Sequence, residues 1–396
     1  MKVLLLNNIF YRKGGSEAVF FNTAELLKEA GHEVRFFSIS AHENELCEQT
    51  PYFAPKLQGF NHIPSYFYNV KAARSLESLL KVWKPDVAHI HLVWGGLSPS
   101  VIDVLHKFGI PVVHTAHDYR LVCPAYTFRD SKGRLCEKCR RTYLSCIFNR
   151  CSKGSIPQSI VMALEMRFRK LFHYPVRNID GFLFVSKFAL YKHIEHDENF
   201  KNVKSMVLYN CTEPIKPEPS SGYFLFSGRL SHEKGCLSLI KAFMQNPALK
   251  LVIAGTGPEE NALKQMSKDF DNISFVGHLD KKSLFKMIAS CAYVIVPSEW
   301  YENNPMSIIE AYAASKPVIA ARIGGIPEIV DNGKTGFLFE SGDYLSLCDI
   351  LKICPSSDSD EYKQLCLNSF SFFEKEFSAV SYTDKLIGFY QSVIKN

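Results

Sequence analysis

Residues 294–311 read VIVPSEWYENNPMSIIEA, and this stretch decides the fold. Its first three residues are apolar and β-branched, which predicts a short buried strand. A polar loop follows, and Pro305 stands where the first turn of a helix tolerates a missing N–H group. A strand that leads through a loop into a helix is the repeating unit of an α/β protein with a parallel sheet.

The same alternation of strands and helices runs outward through both halves of the chain. One helix, predicted over residues 16–30, stops at Gly31, a residue typical of helix C-termini. The predicted strands cover residues 2–7, 34–38, 87–90, 112–115 and 182–185, then 223–226, 251–254, 273–276, 294–296 and 318–320. We therefore predict two Rossmann-like α/β domains, each built on a parallel sheet.

Residues 213–222, EPIKPEPSSG, interrupt the alternation with three prolines and are the best candidate for an interdomain linker. The length of 396 residues also suits two domains. We predict an N-terminal domain over residues 1–212 and a C-terminal domain over residues 213–379, with a helix near residues 380–396 packing back onto the first. Such sheets bind ligands at the carboxyl ends of their strands, so the two domains are expected to face each other across a cleft.

The composition is that of an ordinary globular protein, with 46% hydrophobic and 22% charged residues. No apolar run approaches the 18 or so residues that a membrane-spanning helix needs. We expect a cytoplasmic protein, at most peripheral to the inner face of the cell membrane. Residues 120–177 carry 13 basic and 3 acidic side chains, which predicts an anionic partner or a merely solvated basic face.

Two loops of the second half bring cations and glycines to predicted strand ends. Gly228 directly follows one strand end, and Arg229 and Lys234 place two cations in the same loop. Arginine offers a fork of donors and lysine a point charge, which together suit a diphosphate. The next strand ends at a glycine-rich turn that includes Gly257 and Pro258. A surface turn with unpaired basic residues is the alternative interpretation.

Carboxylates flank the start of the helix in residues 294–311. Glu302 precedes the helix, and Glu310 lies eight residues further on, about two helical turns away. The free N–H groups of the first turn, near Asn304, Met306 and Ser307, form an anion site together with the helix dipole. The two carboxylates are predicted to accept hydrogen bonds from hydroxyl groups, unless they are simply solvated side chains.

These motifs, in this order, resemble the retaining glycosyltransferases of family 4, which have the two-domain GT-B fold. The resemblance covers nearly the whole chain and is densest over residues 223–340. The matching residues are Gly14-Gly15-Ser16-Glu17, His117, Gly228-Arg229-Leu230, Glu233-Lys234-Gly235, Gly255-Thr256-Gly257-Pro258-Glu259, Glu302, Glu310, and the segments 320–330 and 333–337.

The resemblance implies roles for most of these residues. Arg229 and Lys234 would hold the diphosphate of a UDP- or GDP-sugar, Glu310 the ribose, and Glu302 the transferred sugar. His117 would touch that sugar near the reaction centre. The donor would be approached by the backbone of Gly14, Gly15, Gly228, Asn304, Met306 and Ser307. Its base would lie beside Gly257, Pro258 and Leu279. Asn303-Asn304-Pro305 replaces the family's frequent Gly-Phe-Gly, which puts the sugar preference in doubt.

The implied activity is transfer of a sugar, with retention, to a glycan or lipid-linked glycan during cell-surface polysaccharide biosynthesis. The leaving diphosphate would help to deprotonate the acceptor, and two cations with a helix dipole would make a metal unnecessary for catalysis. A sugar-nucleotide epimerase of the same fold and a non-catalytic nucleotide-sugar-binding subunit are the alternatives. We expect no nucleic-acid partner.

A cluster of cysteines and an amphipathic segment mark the first half. Cys136, Cys139, Cys146 and Cys151 have spacing compatible with a structural zinc site, with Cys123 as an alternative ligand. Ordinary free cysteines would fit the pattern as well. The segment 156–177 mixes apolar and basic residues, which favours either contact with an anionic membrane or packing in the core.

Overall fold

The structure is a computed structural model that describes residues 1–57, 62–140 and 142–395. Arg141, within the basic segment, and Asn396, at the end of the predicted C-terminal helix, lie outside the described residues. The chain forms two compact units: unit 1 comprises Met1–Leu208 and Thr383–Asn396, and unit 2 comprises Tyr209–Tyr382. In the described ranges no helix is long and apolar enough to cross a bilayer.

Unit 1 is built on a six-stranded sheet with the order β2-β1-β3-β4-β5-β6, in which every neighbouring pair is parallel. Its strands are β1 (Lys2–Leu6), β2 (Glu33–Phe37), β3 (Val87–Ile90), β4 (Val112–Ala116), β5 (Gly181–Phe184) and β6 (Ser205–Val207). Its helices are α1 (Gly15–Glu29), α2 (His62–Phe67), α3 (Val70–Val82), α4 (Ser100–Lys107), α5 (Leu144–Phe148), α6 (Ile156–Phe172), α7 (Pro175–Asn178) and α8 (Lys187–His196).

Unit 2 repeats this architecture with the strand order β12-β11-β10-β7-β8-β9, again entirely parallel. Its strands are β7 (Tyr223–Ser227), β8 (Lys250–Ala254), β9 (Ile273–Gly277), β10 (Tyr293–Val296), β11 (Val318–Ala321) and β12 (Gly336–Phe339). Its helices are α9 (Cys236–Met244), α10 (Glu260–Met266), α11 (Lys281–Ser290), α12 (Met306–Ala313), α13 (Ile326–Ile329), α14 (Tyr344–Ile353) and α15 (Asp360–Glu376).

The central strands read as continuous apolar runs because they are buried on both faces. Every residue of β3, β4, β5, β10 and β11 is buried. Helices cover both sides of a parallel sheet, so no alternation of polar and apolar residues is needed. The prediction of parallel α/β sheets from short apolar runs is confirmed.

Two strands were not predicted, and both lie at sheet edges. The three residues of β6 are only partly buried, so they lack the apolar run that identifies a central strand. The strand β12 begins at a glycine, a residue depleted from strands and typical of turns. Edge strands therefore leave a weaker mark on the sequence than central ones do.

The proline-rich segment 213–222 packs within unit 2. The Ile215 N–H donates to the Ala313 carbonyl at 2.9 Å, and the Glu218 N–H donates to the Ala289 carbonyl at 3.0 Å. Ile215 is itself buried in one of the apolar clusters of this unit. The segment is thus held by its own backbone hydrogen bonds, and the two units divide at Leu208 and Tyr209.

The last helix, α16 (Ala379–Ile394), begins in unit 2, and its residues from Thr383 onward belong to unit 1. Tyr390 is fully buried there, and its hydroxyl lies 2.6 Å from His89 Nδ1. Phe389 lies directly over Gly181, where a β-carbon would come within 2.8 Å of its ring. This end of the chain is therefore part of the core of unit 1.

Candidate functional site

Arg229 stands in the loop that follows β7. Its side chain is exposed and forms no hydrogen bond or ion pair with any residue that the structure describes. The Leu230 N–H donates to the Thr256 carbonyl at 3.0 Å, which fixes the loop against the turn after β8. The guanidinium is thus held on an ordered loop and remains available to an anion.

Lys234 is positioned by the turn that ends at Gly235. Gly235 has a left-handed backbone with φ 68°, and a β-carbon there would lie 1.8 Å from the Pro297 carbonyl oxygen. Only glycine permits this approach. The Glu299 N–H also donates to the Glu233 carbonyl at 2.8 Å, so the loops after β7 and β10 are tied together.

This packing brings the Lys234 ammonium against the Glu302 carboxylate. Lys234 Nζ lies 2.6 Å from Glu302 Oε1, which also accepts hydrogen bonds from Ser298 Oγ at 2.8 Å and Trp300 Nε1 at 2.7 Å. Lys234 Nζ lies 5.3 Å from the centre of the Trp300 ring. Glu302 Oε2 has no hydrogen-bond partner among the described residues.

Glu302 is charged despite its burial. The residue is 6% exposed, and burial alone would raise its pKa, but the Lys234 ammonium and the two further donors hold the pKa below the usual value. A buried carboxylate with one oxygen saturated and the other unpartnered can accept a hydrogen bond from a hydroxyl group.

Glu310 occupies a different electrostatic environment on α12. Burial raises its pKa to about 7, and Lys281 only partly opposes the shift. The carboxyl group makes no hydrogen bond within the described part of the chain. It therefore changes charge near neutral pH, whereas Glu302 stays ionised.

The start of α12 follows Glu302 directly. Pro305 is the residue that precedes the helix, and the first-turn residues Met306 and Ser307 are partly exposed. Their amide groups lie at the positive end of the helix dipole. Asn304 is buried instead: its Oδ1 accepts from the Asn210 N–H at 2.7 Å, and its carbonyl accepts from Asn210 Nδ2 at 3.0 Å. Its side chain thus fixes the loop, a role that the sequence did not suggest.

The glycine-rich turn after β8 is tightly packed. A β-carbon on Gly257 would lie 2.2 Å from the Leu230 carbonyl oxygen, and the Glu259 N–H donates to that oxygen at 3.1 Å. Pro258 follows in the same turn. Leu279, after β9, is partly buried against the apolar cluster of unit 2. Gly228, Gly257 and Leu279 thus follow three neighbouring strands, β7, β8 and β9.

The chain contains two Asp-x-Asp triplets, Asp269-Phe270-Asp271 and Asp358-Ser359-Asp360. The first precedes the amino end of β9, and the second precedes α15, where Asp360 accepts a hydrogen bond from Lys363 Nζ at 2.7 Å. Neither triplet follows the carboxyl end of a strand, where Arg229, Lys234 and Glu302 lie.

His117 follows β4 in unit 1, is partly buried, and contacts a set of buried imidazoles. His117 Nε2 lies 2.8 Å from His91 Nδ1, and the two rings stack with centres 5.0 Å apart. Burial lowers the pKa of His117 to about 4 and the pKa of His91 far below its ordinary value. Both rings are therefore neutral at pH 7, and no local sequence pattern marks His91 as the partner of His117.

A cavity of about 340 Å³ lies at the carboxyl ends of β1 and β2 in unit 1. Polar and aromatic side chains line it, among them Asn8, Tyr11, Ser40, Tyr66 and Trp94. Gly14 and Gly15 begin α1 but do not line this cavity. Asn8 lies two residues after the end of β1, and a polar residue near a strand end is the sequence signal that could have indicated this cavity.

The basic amphipathic segment folds as α6 and α7, with Pro175 at the start of α7. One side of α6 is buried through Ala163, Glu165, Met166 and Arg169. The opposite side exposes large apolar residues, and α5, which packs against α6, adds two more. This exposed apolar face comprises Leu144, Phe148, Ile156, Ile160, Leu164, Leu171 and Phe172. Core packing therefore accounts for only part of the apolar content of the segment.

The comparisons with known proteins concern the family and the fold of the chain. The model of Glycosyltransferase Family 4 matches residues 13–214, and that of Glycosyl transferases group 1 matches residues 213–353. A Klebsiella pneumoniae protein, described as an uncharacterized 42.6 kDa protein in the cps region, is 26% identical over 354 residues, which cover 83% of this chain and 87% of that one.

Two solved structures cover the chain from end to end. Sucrose-phosphate synthase from Thermosynechococcus elongatus has a TM-score of 0.73 at 17% identity, covering 100% of this chain and 99% of that chain. Anabaena HepE in complex with UDP-glucose has a TM-score of 0.69 at 18% identity, covering 99% and 100%. At these identities the likeness concerns the fold, and it confirms the predicted GT-B fold.

The protein is thus a glycosyltransferase of the GT-B class. Because a family model matches more than half of the chain, it belongs to glycosyltransferase family 4, as its motifs predicted.

Proposed function

We propose that the protein transfers a sugar with retention of configuration, from a nucleotide-sugar to a glycan or a lipid-linked glycan, in cell-surface polysaccharide biosynthesis. The observation that carries the proposal is the pairing of buried Glu302 with Lys234, in the loop that also carries the exposed Arg229. The UDP-glucose complex of HepE supports a nucleotide-sugar donor.

In this proposal unit 2 binds the donor. Arg229 and Lys234 face the diphosphate, and the first-turn amides of α12 add hydrogen-bond donors. As the bond between sugar and phosphate breaks, negative charge grows on the diphosphate, and these fixed positive groups stabilise it. These groups stabilise the negative charge that a metal ion often stabilises, so we propose that transfer requires no metal ion. Gly228, Gly257, Pro258 and Leu279 would lie next to the nucleotide.

The two glutamates would recognise hydroxyl groups of the donor. Glu302 Oε2 accepts from the transferred sugar while Oε1 stays engaged by Lys234, Ser298 and Trp300. Glu310 accepts from the ribose when it is ionised. The hydrogen bonds between Asn304 and Asn210 fix the loop before α12, and this would position the N–H groups of the first helical turn to bind the phosphates.

Unit 1 would bind the acceptor. Its cavity has amide, hydroxyl and aromatic walls, which suit a sugar that is hydrogen-bonded at its edge and stacked on its face. Neutral His117, held by His91, donates or accepts a hydrogen bond with a substrate hydroxyl without adding charge. The loop with Gly14 and Gly15 allows close approach of backbone N–H groups at the start of α1.

The exposed apolar face of α5 and α6 would rest on an anionic membrane. Phe148 is 79% exposed and Phe172 is 68% exposed, and Arg150, Lys153 and Arg167 lie on the same two helices or the turn between them. Apolar residues bordered by cations are typical of surfaces that lie in the headgroup region. This contact would bring the enzyme to lipid-linked acceptors at the inner face of the membrane.

A donor panel tests the proposal. Purified protein is incubated with UDP-, GDP- and ADP-sugars, and nucleotide release is measured with and without a lipid extract from the native host. A transferase releases one nucleotide quickly and only with acceptor. An epimerase converts the donor sugar without release, and a binding subunit binds one nucleotide-sugar without turnover; either result would refute transfer.

A further inference from the structure

Trp300 lies in the loop between β10 and α12, two residues before Glu302, and is partly buried. Its backbone carbonyl accepts from the Glu302 N–H at 2.9 Å, and its side-chain Nε1–H donates to Glu302 Oε1 at 2.7 Å. The tryptophan therefore binds the glutamate through both its backbone and its side chain. The indole is a direct partner of the carboxylate and not only a neighbour in the sequence.

The indole ring also contacts the cation that pairs with Glu302. Lys234 Nζ lies 5.3 Å from the centre of the Trp300 ring, within the range over which an aromatic face attracts an ammonium group. Trp300 thus contacts both members of the ion pair, the carboxylate through its N–H group and the ammonium through its ring. A single side chain that contacts both charges can fix their positions together.

Glu302 Oε1 is saturated by three donors. Besides the Trp300 N–H, it accepts from Lys234 Nζ at 2.6 Å and from Ser298 Oγ at 2.8 Å. A carboxylate oxygen has about two lone pairs, so no acceptor position remains on Oε1. Rotation of the carboxylate about its last single bond, which is a soft torsion in a free glutamate, would break all three hydrogen bonds. The position of Oε2, which accepts from no residue that the structure describes, is therefore fixed.

The backbone of Glu302 is held as well. The Gly325 N–H donates to the Glu302 carbonyl at 2.7 Å. Gly324 has a left-handed backbone with φ 61°, and a β-carbon there would lie 2.3 Å from the same carbonyl oxygen. Because the backbone is fixed, the remaining freedom of Glu302 lies in its side chain, which is the part that Trp300 contacts through its indole.

The same kinds of side chain meet at a second place, in unit 1. Trp83 Nε1 donates to Glu33 Oε1 at 2.7 Å, Arg35 Nε lies 3.2 Å from that oxygen, and the Arg35 guanidinium lies 4.8 Å from the centre of the Trp83 ring. Glu33 is the first residue of β2, so this group stands at the amino end of a strand, and its carboxylate is 44% exposed. Water can solvate that carboxylate in any orientation. The group in unit 1 is thus a control for the chemistry of the contact away from the proposed donor site.

We propose that Trp300 is a positioning residue for donor recognition. Its indole orients the Glu302 carboxylate so that Oε2 meets a hydroxyl group of the transferred sugar, and it keeps Lys234 beside the diphosphate. This role rests on the proposed function, because it belongs to the same donor site. Trp300 acts through the two charged residues and need not touch the substrate itself.

The two contacts of Trp300 can be removed one after the other. Trp300→Phe keeps a ring beside Lys234 but has no N–H group for Glu302. We expect turnover at saturating donor to fall about tenfold, because a small misplacement of a recognising group lowers the rate, while the Michaelis constant for the donor changes less than about twofold. Trp300→Leu also removes the ring, so the Michaelis constant should rise about threefold or more.

Trp83→Phe is the matched control, because it removes the same kind of N–H donor from a glutamate of unit 1. It should change turnover and the Michaelis constant by less than about twofold. Kinetic constants of Trp300→Phe that equal those of Trp83→Phe would overturn the proposal. A loss of activity in Trp300→Phe that only follows its loss of folded protein would overturn it too.

The indole N–H signal tests the role without any turnover. The chain has three tryptophans, so labelling with ¹⁵N-tryptophan gives three indole signals, and Trp83→Phe and Trp94→Phe assign them by elimination. The Trp300 signal should move in Glu302→Gln, and it should move when one of the UDP-, GDP- and ADP-sugars of the donor panel binds. Both shifts should exceed that of the Trp83 signal. Absence of either shift would overturn the proposal.

Failure of this role and failure of the proposed function give different results. If the wild type transfers no sugar, the proposed function is refuted, and the Trp300 signal still decides whether the indole responds to a bound nucleotide-sugar. If the wild type transfers sugar and Trp300→Phe does so with unchanged constants, transfer stands and the role of Trp300 is refuted.

Discussion

Lys234 Nζ lies 2.6 Å from Glu302 Oε1, although 68 residues separate the two in the chain. The pair rests on the turn at Gly235, which presses against the Pro297 carbonyl. Both residues are thus positioned by the carboxyl ends of adjacent strands, β7 and β10. Loss of the charge on either residue is therefore expected to change the position of the other side chain. The first prediction tests Lys234, and the second tests Glu302.

Lys234→Ala should reduce both stability and donor binding. It leaves the Glu302 carboxylate buried without its cation, which we expect to cost about 1–3 kcal/mol of unfolding free energy. The Michaelis constant for the donor should rise at least tenfold. Chemical denaturation and initial rates measure the two effects. Lys264→Ala, which removes an exposed pair with Glu260 at 2.7 Å, is the control and should change stability by less than about 0.5 kcal/mol. Equal behaviour of the two variants would argue against the pair.

Glu302→Gln should lower turnover about 10²-fold while the protein stays folded. The amide oxygen can still accept from Ser298 and Trp300, but the charge that orients Lys234 and binds a sugar hydroxyl is lost. Glu299→Gln is the control, since Glu299 accepts from Ser238 Oγ at 2.7 Å, away from Glu302. Turnover at saturating donor is the measurement, and a change of less than twofold in Glu302→Gln would remove this residue from the site.

Glu310 should make donor binding depend on pH near neutrality. Its pKa is about 7 because burial disfavours the charged form. The carboxylate accepts hydroxyl hydrogen bonds best when ionised, so the Michaelis constant for the donor should fall as pH rises from 6 to 8. In Glu310→Gln this dependence should disappear and the constant should be higher at pH 8. A wild-type profile that matches the variant would contradict the role.

Leu164→Asp combined with Phe172→Asp should abolish binding to anionic liposomes without loss of stability. Both side chains are more than half exposed, so the substitutions remove only peripheral contacts such as that between the Phe172 and Phe168 rings. Burying each in a bilayer is worth about 1.5–3 kcal/mol, so the partition coefficient should fall more than tenfold. Tyr191→Asp changes an equally exposed residue on α8 and should have little effect. Wild-type protein that fails to bind the liposomes at low salt would contradict the membrane proposal.

Most of the fold could be predicted because central parallel strands carry an unambiguous pattern. The strand at residues 87–90 has the predicted bounds, and each of the other predicted strands differs from its predicted bounds by one residue at one or both ends. The edge strand β6 could not be predicted, since three partly buried residues leave no apolar run. Strands at the edge of a sheet are less buried than central strands, so their sequences indicate a strand less clearly.

The site was only partly accessible from sequence. Gly228, Arg229, Lys234 and Glu302 stand in recognisable loops, but their mutual contacts depend on how those loops pack. Ser298 and Trp300 bind the same carboxylate oxygen as Lys234, and no local pattern marks them. Likewise, periodicity alone could not tell that Met166 faces the core of unit 1 while Leu164 faces outward.

Product analysis tests the central claim most directly. The enzyme is incubated with the active α-linked nucleotide-sugar and its acceptor, and proton NMR follows the anomeric signals while released nucleotide is counted. We predict one nucleotide released per sugar transferred, an α-linkage in the product, and the same rate in the presence of EDTA. A β-linked product, or sugar release to water with no glycosylated acceptor, would contradict the account.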